Sequence, residues 1–191
     1  GSRQSKGMNI VNLLPLQPEE KISAMIRMED QTEGQYLCMI TKRGIIKRTR
    51  LDAYANVRKS GLIAIDLDEG DELVRVLTTD GSRQLLVATK KGMAIRFDEN
   101  DARVIGRTAR GVKALNLAED DTVIGMELVD DDRLLLTVTE TGFGRLSRFD
   151  CYRTQSRGGK GLTNYHVERF GNVAAAQMIN GDEDIILVSD A

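Results

Sequence analysis

The strongest constraint on this chain is that it repeats itself. Four segments align on a glycine, RQSKGMNIVNLL at Gly7, NVRKSGLIAIDL at Gly61, RTARGVKALNLA at Gly111 and QSRGGKGLTNYHV at Gly161, at separations of 54, 50 and 50 residues. A second anchor, TKRGIIKRT, TKKGMAIRF and TETGFGRLSRF, aligns on Gly44, Gly92 and Gly142, spaced 48 and 50. Two independent anchors that hold one period define a supersecondary unit of about fifty residues. Such a unit stacks against its neighbours to bury its faces.

Within the period the apolar runs are short and rich in β-branched residues, with no long 3.6-residue stripe. Each unit reads as four short strands. In the second they are Gly61 to Leu67, Leu73 to Leu77, Gln84 to Thr89 and Met93 to Phe97. The last two are joined at Lys90-Lys91-Gly92, with equivalents at Lys42-Arg43-Gly44 and Glu140-Thr141-Gly142, where glycine supplies the positive φ of a tight hairpin. TTDGSR and VDDDR make the other turns, and LLPLQPEEKI, with Pro15 and Pro18, reads as a connector; no helix is expected. The reading is therefore all-β, a propeller-like array of about four four-stranded blades in one domain over 1–191, with repeats near 3–54, 55–104, 105–153 and 154–191. The chain stops after DIILVSDA, which matches a third strand, so the fourth unit is expected to be unfinished and its edge open to closure.

Composition narrows the chemistry. The apolar runs are too short to span a bilayer, and no secretory leader is visible in GSRQSKGMNI. Cys38 and Cys151 lie in dissimilar contexts and read as reduced thiols of a cytosolic protein. With one histidine, His166, and no CxxC pair, neither a zinc site nor a Ser-His or Cys-His pair can be assembled, and His166 reads as a partly exposed strand residue.

The formal net charge of −2 conceals a segregation. Windows 41–59, 89–113 and 140–160 together hold 19 basic and 6 acidic residues, a net +13, while the remainder holds 8 basic and 23 acidic, a net −15. A single charge run is ordinary solvated surface. Three runs in phase with a repeat fall on one rim of a radial array. The cations so placed are Lys42, Arg43, Lys47, Arg48, Arg50, Arg58 and Lys59; then Lys90, Lys91, Arg96, Arg103, Arg107, Arg110 and Lys113; then Arg145, Arg148 and Arg153. Such a stripe suits the phosphates of duplex nucleic acid. With no Trp, 4 Tyr and 4 Phe, the chain lacks stacking platforms for single strands, and it has no recognition helix. Backbone contact with a bent duplex is the expected mode.

The densest motif is Gln155-Ser156-Arg157-Gly158-Gly159-Lys160-Gly161. It is not a phosphate-binding Walker loop, because Leu162 follows where a Ser or Thr would hold magnesium. On residue types alone the lesser alternative is a glycine-rich blade connector with incidental charge. It resembles the QRRGGKG box of the C-terminal domain of the DNA gyrase A subunit, with Ser156 at a position that is commonly basic, and the segments at Gly61 and Gly111 resemble that domain's degenerate copies.

The resemblance covers essentially the whole chain. It implies a β-pinwheel that wraps duplex DNA on its outer rim, so that the parent enzyme can introduce negative supercoils. It also implies a non-catalytic fragment with no cofactor of its own. The parent uses ATP and Mg2+ in other domains, pairs gyrase A with gyrase B in an A2B2 assembly, and works in the bacterial cytoplasm on the nucleoid. Tyr36, Tyr54, Tyr152 and Tyr165 are not nucleophiles on this reading. The family's principal box lies in the first blade, so this one reads as a second, internal box in a chain that starts after that blade. The alternatives are the related domain of topoisomerase IV and a protein-binding propeller of the kelch or chromosome-condensation-regulator type. An independent enzyme is the weakest reading, since no acid-base constellation can be placed.

Overall fold

The computed structural model describes residues 34–54, 67–107 and 109–180. The segments around Gly7 and Gly61 and the terminal DIILVSDA lie outside them, as do Arg58 and Lys59. Within the described residues the chain is all-β, with eleven strands in three antiparallel sheets.

Each sheet is built on a hairpin: β1 (Tyr36–Thr41) with β2 (Ile45–Arg50), β4 (Gln84–Thr89) with β5 (Met93–Asp98), and β8 (Leu134–Thr139) with β9 (Gly144–Arg148). The turns share one construction. Gly44, Gly92 and Gly142 have φ of 86°, 87° and 90°, and their amides donate to the carbonyls of Thr41, Thr89 and Thr139 at 3.0, 3.1 and 3.1 Å. The hydroxyls of those threonines accept from the amides of Ile45, Met93 and Phe143 at 3.1, 3.0 and 3.2 Å. A buried threonine three residues before the glycine thus closes each turn.

The strands of one sequence repeat do not make one sheet. β3 (Leu73–Thr79) follows the first hairpin and pairs with β1, β7 (Val123–Leu128) pairs with β4, and β11 (Val173–Ile179) pairs with β8. The glycine-anchored strands step backwards: β6 (Val112–Lys113) follows the second hairpin yet pairs with β2 of the first. Likewise β10 (Leu162–Thr163) follows the third hairpin and pairs with β5 of the second. Consecutive units are therefore stitched together, and the fourth strand of each of the first two sheets comes from a crossover.

Both faces of the central hairpin are covered, which is why QLLVA reads as an unbroken apolar run. Leu85 and Val87 pack with Cys38, Ile40, Ile46 and Leu77 of the first sheet, whereas Leu86 and Ala88 pack with Leu135, Phe149 and Ala176 on the other side. A Cβ on Gly125 in β7 would lie 2.8 Å from the Ala176 carbonyl, so glycine lets β7 approach β11. β7 also meets β3 through a buried pair, in which Arg75 donates to Glu127 Oε1 at 2.9 Å and to the Met126 carbonyl at 3.2 Å. Burial pushes the Glu127 carboxyl above its ordinary range, with Arg75 pulling the other way.

The expectation of no helix needs one correction. A single helical turn, α1 (Val167–Phe170), follows β10, and His166 stands exposed just before it instead of on a strand. Phe170 packs edge-on against Tyr165 and Phe143, at centroid separations of 5.4 and 5.2 Å. One turn is shorter than the span over which a 3.6-residue period registers in a sequence.

Candidate nucleic-acid interface

The basic windows coincide with the hairpin turns and with two crossovers. Both crossovers follow one path. Each leaves its hairpin through a 3-10 turn, at Glu99–Asp101 or Phe149–Cys151, and makes a parallel bridge to the previous hairpin, Val104 on Arg48 or Thr154 on Arg96. The amides of Ile105 and Gln155 then donate to the carbonyls of those same arginines at 2.9 and 2.8 Å. At the end, Gly111 and Gly161 turn the chain into β6 and β10 with φ of 98° and 81°. A Cβ on Gly111 would sit 2.6 Å from the Ile46 carbonyl oxygen, and one on Gly161 would overlap that of Ala94. These two anchor glycines are required by the close passage of one strand over another.

Two of the expected rim cations do not face solvent. Lys47 is 0% exposed and its Nζ donates to the Arg107 carbonyl. Arg48 is 4% exposed and stacks on Tyr36 at 4.8 Å. Its Nε donates to the Ala102 carbonyl at 2.8 Å, and its other nitrogens reach Glu99 and Asn100 at 3.3 Å each. Glu99, itself 0% exposed, also accepts from Thr79 at 2.5 Å and from the Arg83 amide at 2.7 Å. Lys47 and Arg48 therefore seat the first crossover. Charge counts along a sequence cannot separate these cations from their neighbours, because on a strand covered on both faces even a cation points into protein. Arg96 repeats the arrangement in part, donating to Gln84 at 2.6 Å and to the Phe149 and Tyr152 carbonyls at 2.9 and 3.4 Å. Arg145 donates to the Asn164 carbonyl at 3.0 Å.

The remaining cations divide by their partners. Arg110 pairs with Asp68, Lys91 with Asp120 at 3.6 Å, Arg50 with Asp52 at 2.6 Å and Arg148 with Asp150 at 3.3 Å. Lys42, Arg43, Arg103, Lys113, Arg153 and Lys160 are exposed, and Lys90 and Arg107 are half-buried. Among the described residues Arg103, Lys113, Arg153 and Lys160 enter no ion pair. The fifty-residue period also carries a signal that the charge windows blur: Arg103, Arg107 and Arg110 recur as Arg153, Arg157 and Lys160.

The glycine-rich motif sits on the second crossover, against the first. The Gly158 amide donates to the Ala114 carbonyl and the Asn116 amide to the Gly159 carbonyl, each at 2.8 Å. Lys160 projects to solvent, whereas Arg157 is half-buried and bonded to the first crossover. Gln155 Oε1 and the Ser156 carbonyl oxygen lie 3.6 and 3.9 Å from where a Cβ on Gly159 would stand, and Gly158, at φ 94°, has open space at that place.

An array of stitched antiparallel blades joined by backward-stepping crossovers places this chain among the β-propellers. It belongs to the DNA gyrase C-terminal domain family, a beta-propeller, whose family model matches residues 35–80, 83–130 and 133–189. The DNA gyrase A protein of Clostridium acetobutylicum is 53% identical over 189 residues, which cover 98% of this chain and 23% of that protein. That of Staphylococcus epidermidis is 41% identical, covering 100% of this chain and 22% of its own length. The chain thus spans under a quarter of these relatives. In fold it is similar to a solved DNA gyrase A C-terminal domain, at a TM-score of 0.70 with 24% identity, covering 95% of this chain and 61% of that one. A solved DNA topoisomerase IV C-terminal domain gives 0.69 with 21% identity, covering 81% and 65%.

Proposed function

We propose that this domain binds duplex DNA along its crossover rim and bends it, without reading base sequence, as the non-catalytic wrapping module of a gyrase. The observation that carries the reading is the recurrence of three cations, fifty residues apart, on two crossovers that take the same path over successive blades. A duplex laid across the blades meets cations at recurring positions, with Arg103 and Arg153 exposed at the same point of each crossover. Each neutralised phosphate releases condensed counterions, so affinity comes from the backbone and not from base edges. The acidic turns, including Asp130, Asp131 and Asp132, carry the opposite sign and disfavour other paths.

Arg103, Lys113, Arg153 and Lys160, joined by Arg107 and Arg110, are the contacts we assign to DNA; the hairpin-turn cations Lys42, Arg43, Lys90 and Lys91 extend the positive surface. Within an A2B2 gyrase, a segment wrapped here would be presented for strand passage, with cleavage, ATP and Mg2+ supplied by other domains in the bacterial cytoplasm. The test is duplex binding across a salt series. A slope of about −5 to −9 in log affinity against log salt is expected for 6 to 10 phosphates, together with writhe trapped when nicked circles are sealed in the presence of the protein. A flat salt dependence would overturn the reading.

A further inference from the structure

Arg157 is the central cation of the glycine-rich motif, and its donors are already engaged. Its Nε donates to the Asp101 carbonyl at 3.1 Å and one terminal nitrogen to the Lys113 carbonyl at 2.5 Å, while its amide donates to Asp101 Oδ2 at 3.2 Å. Asp101 lies in the turn that opens the first crossover, and Lys113 lies in the strand that closes it. One side chain therefore spans both ends of the neighbouring loop. Only a planar guanidinium presents donors in the fork that reaches two carbonyls at once, whereas a lysine ammonium is a point charge on a flexible stem. The flanking Gly158–Ala114 and Asn116–Gly159 bonds tie the same two segments.

We propose that Arg157 is a positioning residue, a strut that locks the second crossover onto the first so that Lys160, Arg153, Arg103 and Lys113 present one rigid track to the duplex. This rests on the wrapping reading. The strut sets the path of the DNA, while neighbouring cations supply the attraction.

The experiment uses the whole chain and Arg157→Lys, which keeps the charge and removes the fork. Without DNA, the Gly158 and Asn116 amides are expected to exchange with solvent about tenfold faster in the variant. With DNA, the salt slope stays within about one phosphate of wild type, while trapped writhe falls at least twofold. Should that variant fail to fold, Asp101→Ala probes the same join beside the fork: it removes the Oδ2 that accepts from the Arg157 amide and leaves the carbonyl that Nε uses. It removes a negative charge, so simple electrostatics predicts tighter binding and undiminished writhe, whereas a loosened join between the crossovers lowers writhe. Exchange and writhe at wild-type values overturn the proposal, as does faster exchange with unchanged writhe. Wild-type protein that leaves circles unwrithed overturns the wrapping reading itself, a result separable from this one because amide exchange is read without DNA.

Discussion

The two crossovers, 99–113 and 149–163, run the same course over successive blades and are held by different chemistry. The first is seated by a buried ion pair, Arg48 on Glu99, with Thr79 and Asn100 completing the network. The second has no carboxylate in the place of Glu99. Arg96 is bonded to Gln84 and to two carbonyls, and Phe149 stands where Glu99 stands in the first and fills the core. Outside, Arg110 of the first pairs with Asp68, while its counterpart Lys160 faces solvent. The backbone path depends on the anchor glycine and the parallel bridge, both common to the two; the way each loop is fastened and the charge it exposes vary independently of that path.

The largest effect that would break this comparison is on stability. Arg48→Ala strands a charged Glu99 in the interior and is expected to cost about 3–5 kcal/mol, against about 1–3 kcal/mol for Arg96→Ala, whose partners are neutral. Urea unfolding measures both, and equal losses would show that the two seats are equivalent.

Next comes the anchor. Gly161→Ala is expected to cost about 1–3 kcal/mol for the positive φ alone, and more because the new Cβ meets the Ala94 carbonyl. Gly158→Ala carries the backbone cost of about 1–2 kcal/mol without a clash. If thermal unfolding ranks Gly158→Ala as the more damaging, the close passage of β10 over β5 is not what fixes the anchor.

On DNA, Lys160→Ala is expected to reduce the salt slope by about 0.9, one phosphate's worth. Arg110→Ala should reduce it by less, because Asp68 already shares that charge. A larger drop for Arg110 would mean that the duplex displaces Asp68.

The smallest effect is chemical. Cys151 is exposed at the start of the second crossover, while Cys38 is buried beside Thr79 at 3.5 Å, behind the seat of the first. Burial, with Glu99 adding to it and Thr79 and Arg48 opposing, pushes the Cys38 thiol up from 9.0 to about 12. Iodoacetamide at pH 8 should modify Cys151 and spare Cys38. Because the folded pKa is raised, the Cys38 contribution is fully present below about 9 and is lost as pH rises toward 12. Stability should therefore fall across that alkaline window, and less so in a Cys38→Ala variant. Rapid labelling of Cys38 in folded protein would show that the first seat opens.

Much of this was legible in the residues. The period, the hairpin glycines and the motif at Gln155 to Gly161 mark the unit, the turns and the stretch that distinguishes one crossover from the other. The threonines at 41, 89 and 139 recur three places before each turn glycine, so their spacing was equally readable; their role as turn acceptors was not, because threonine is also an ordinary strand residue. What a linear reading could not reach is which cations are spent internally. Lys42 and Lys47 look alike in a charge count, yet one sits on a turn and the other on a strand covered from both sides.

By itself, then, the sequence determined the all-β repeat and its turns, because these follow from local backbone preference and from spacing along the chain. The tertiary structure decided that β6 and β10 step back to the preceding hairpin. It also decided that Arg48 pairs with Glu99 and that Arg157 reaches both Asp101 and Lys113. Those outcomes join residues 44 to 70 positions apart. Separations of that size lie beyond the reach of local backbone preference, and the pairings arise only when neighbouring blades close upon one another.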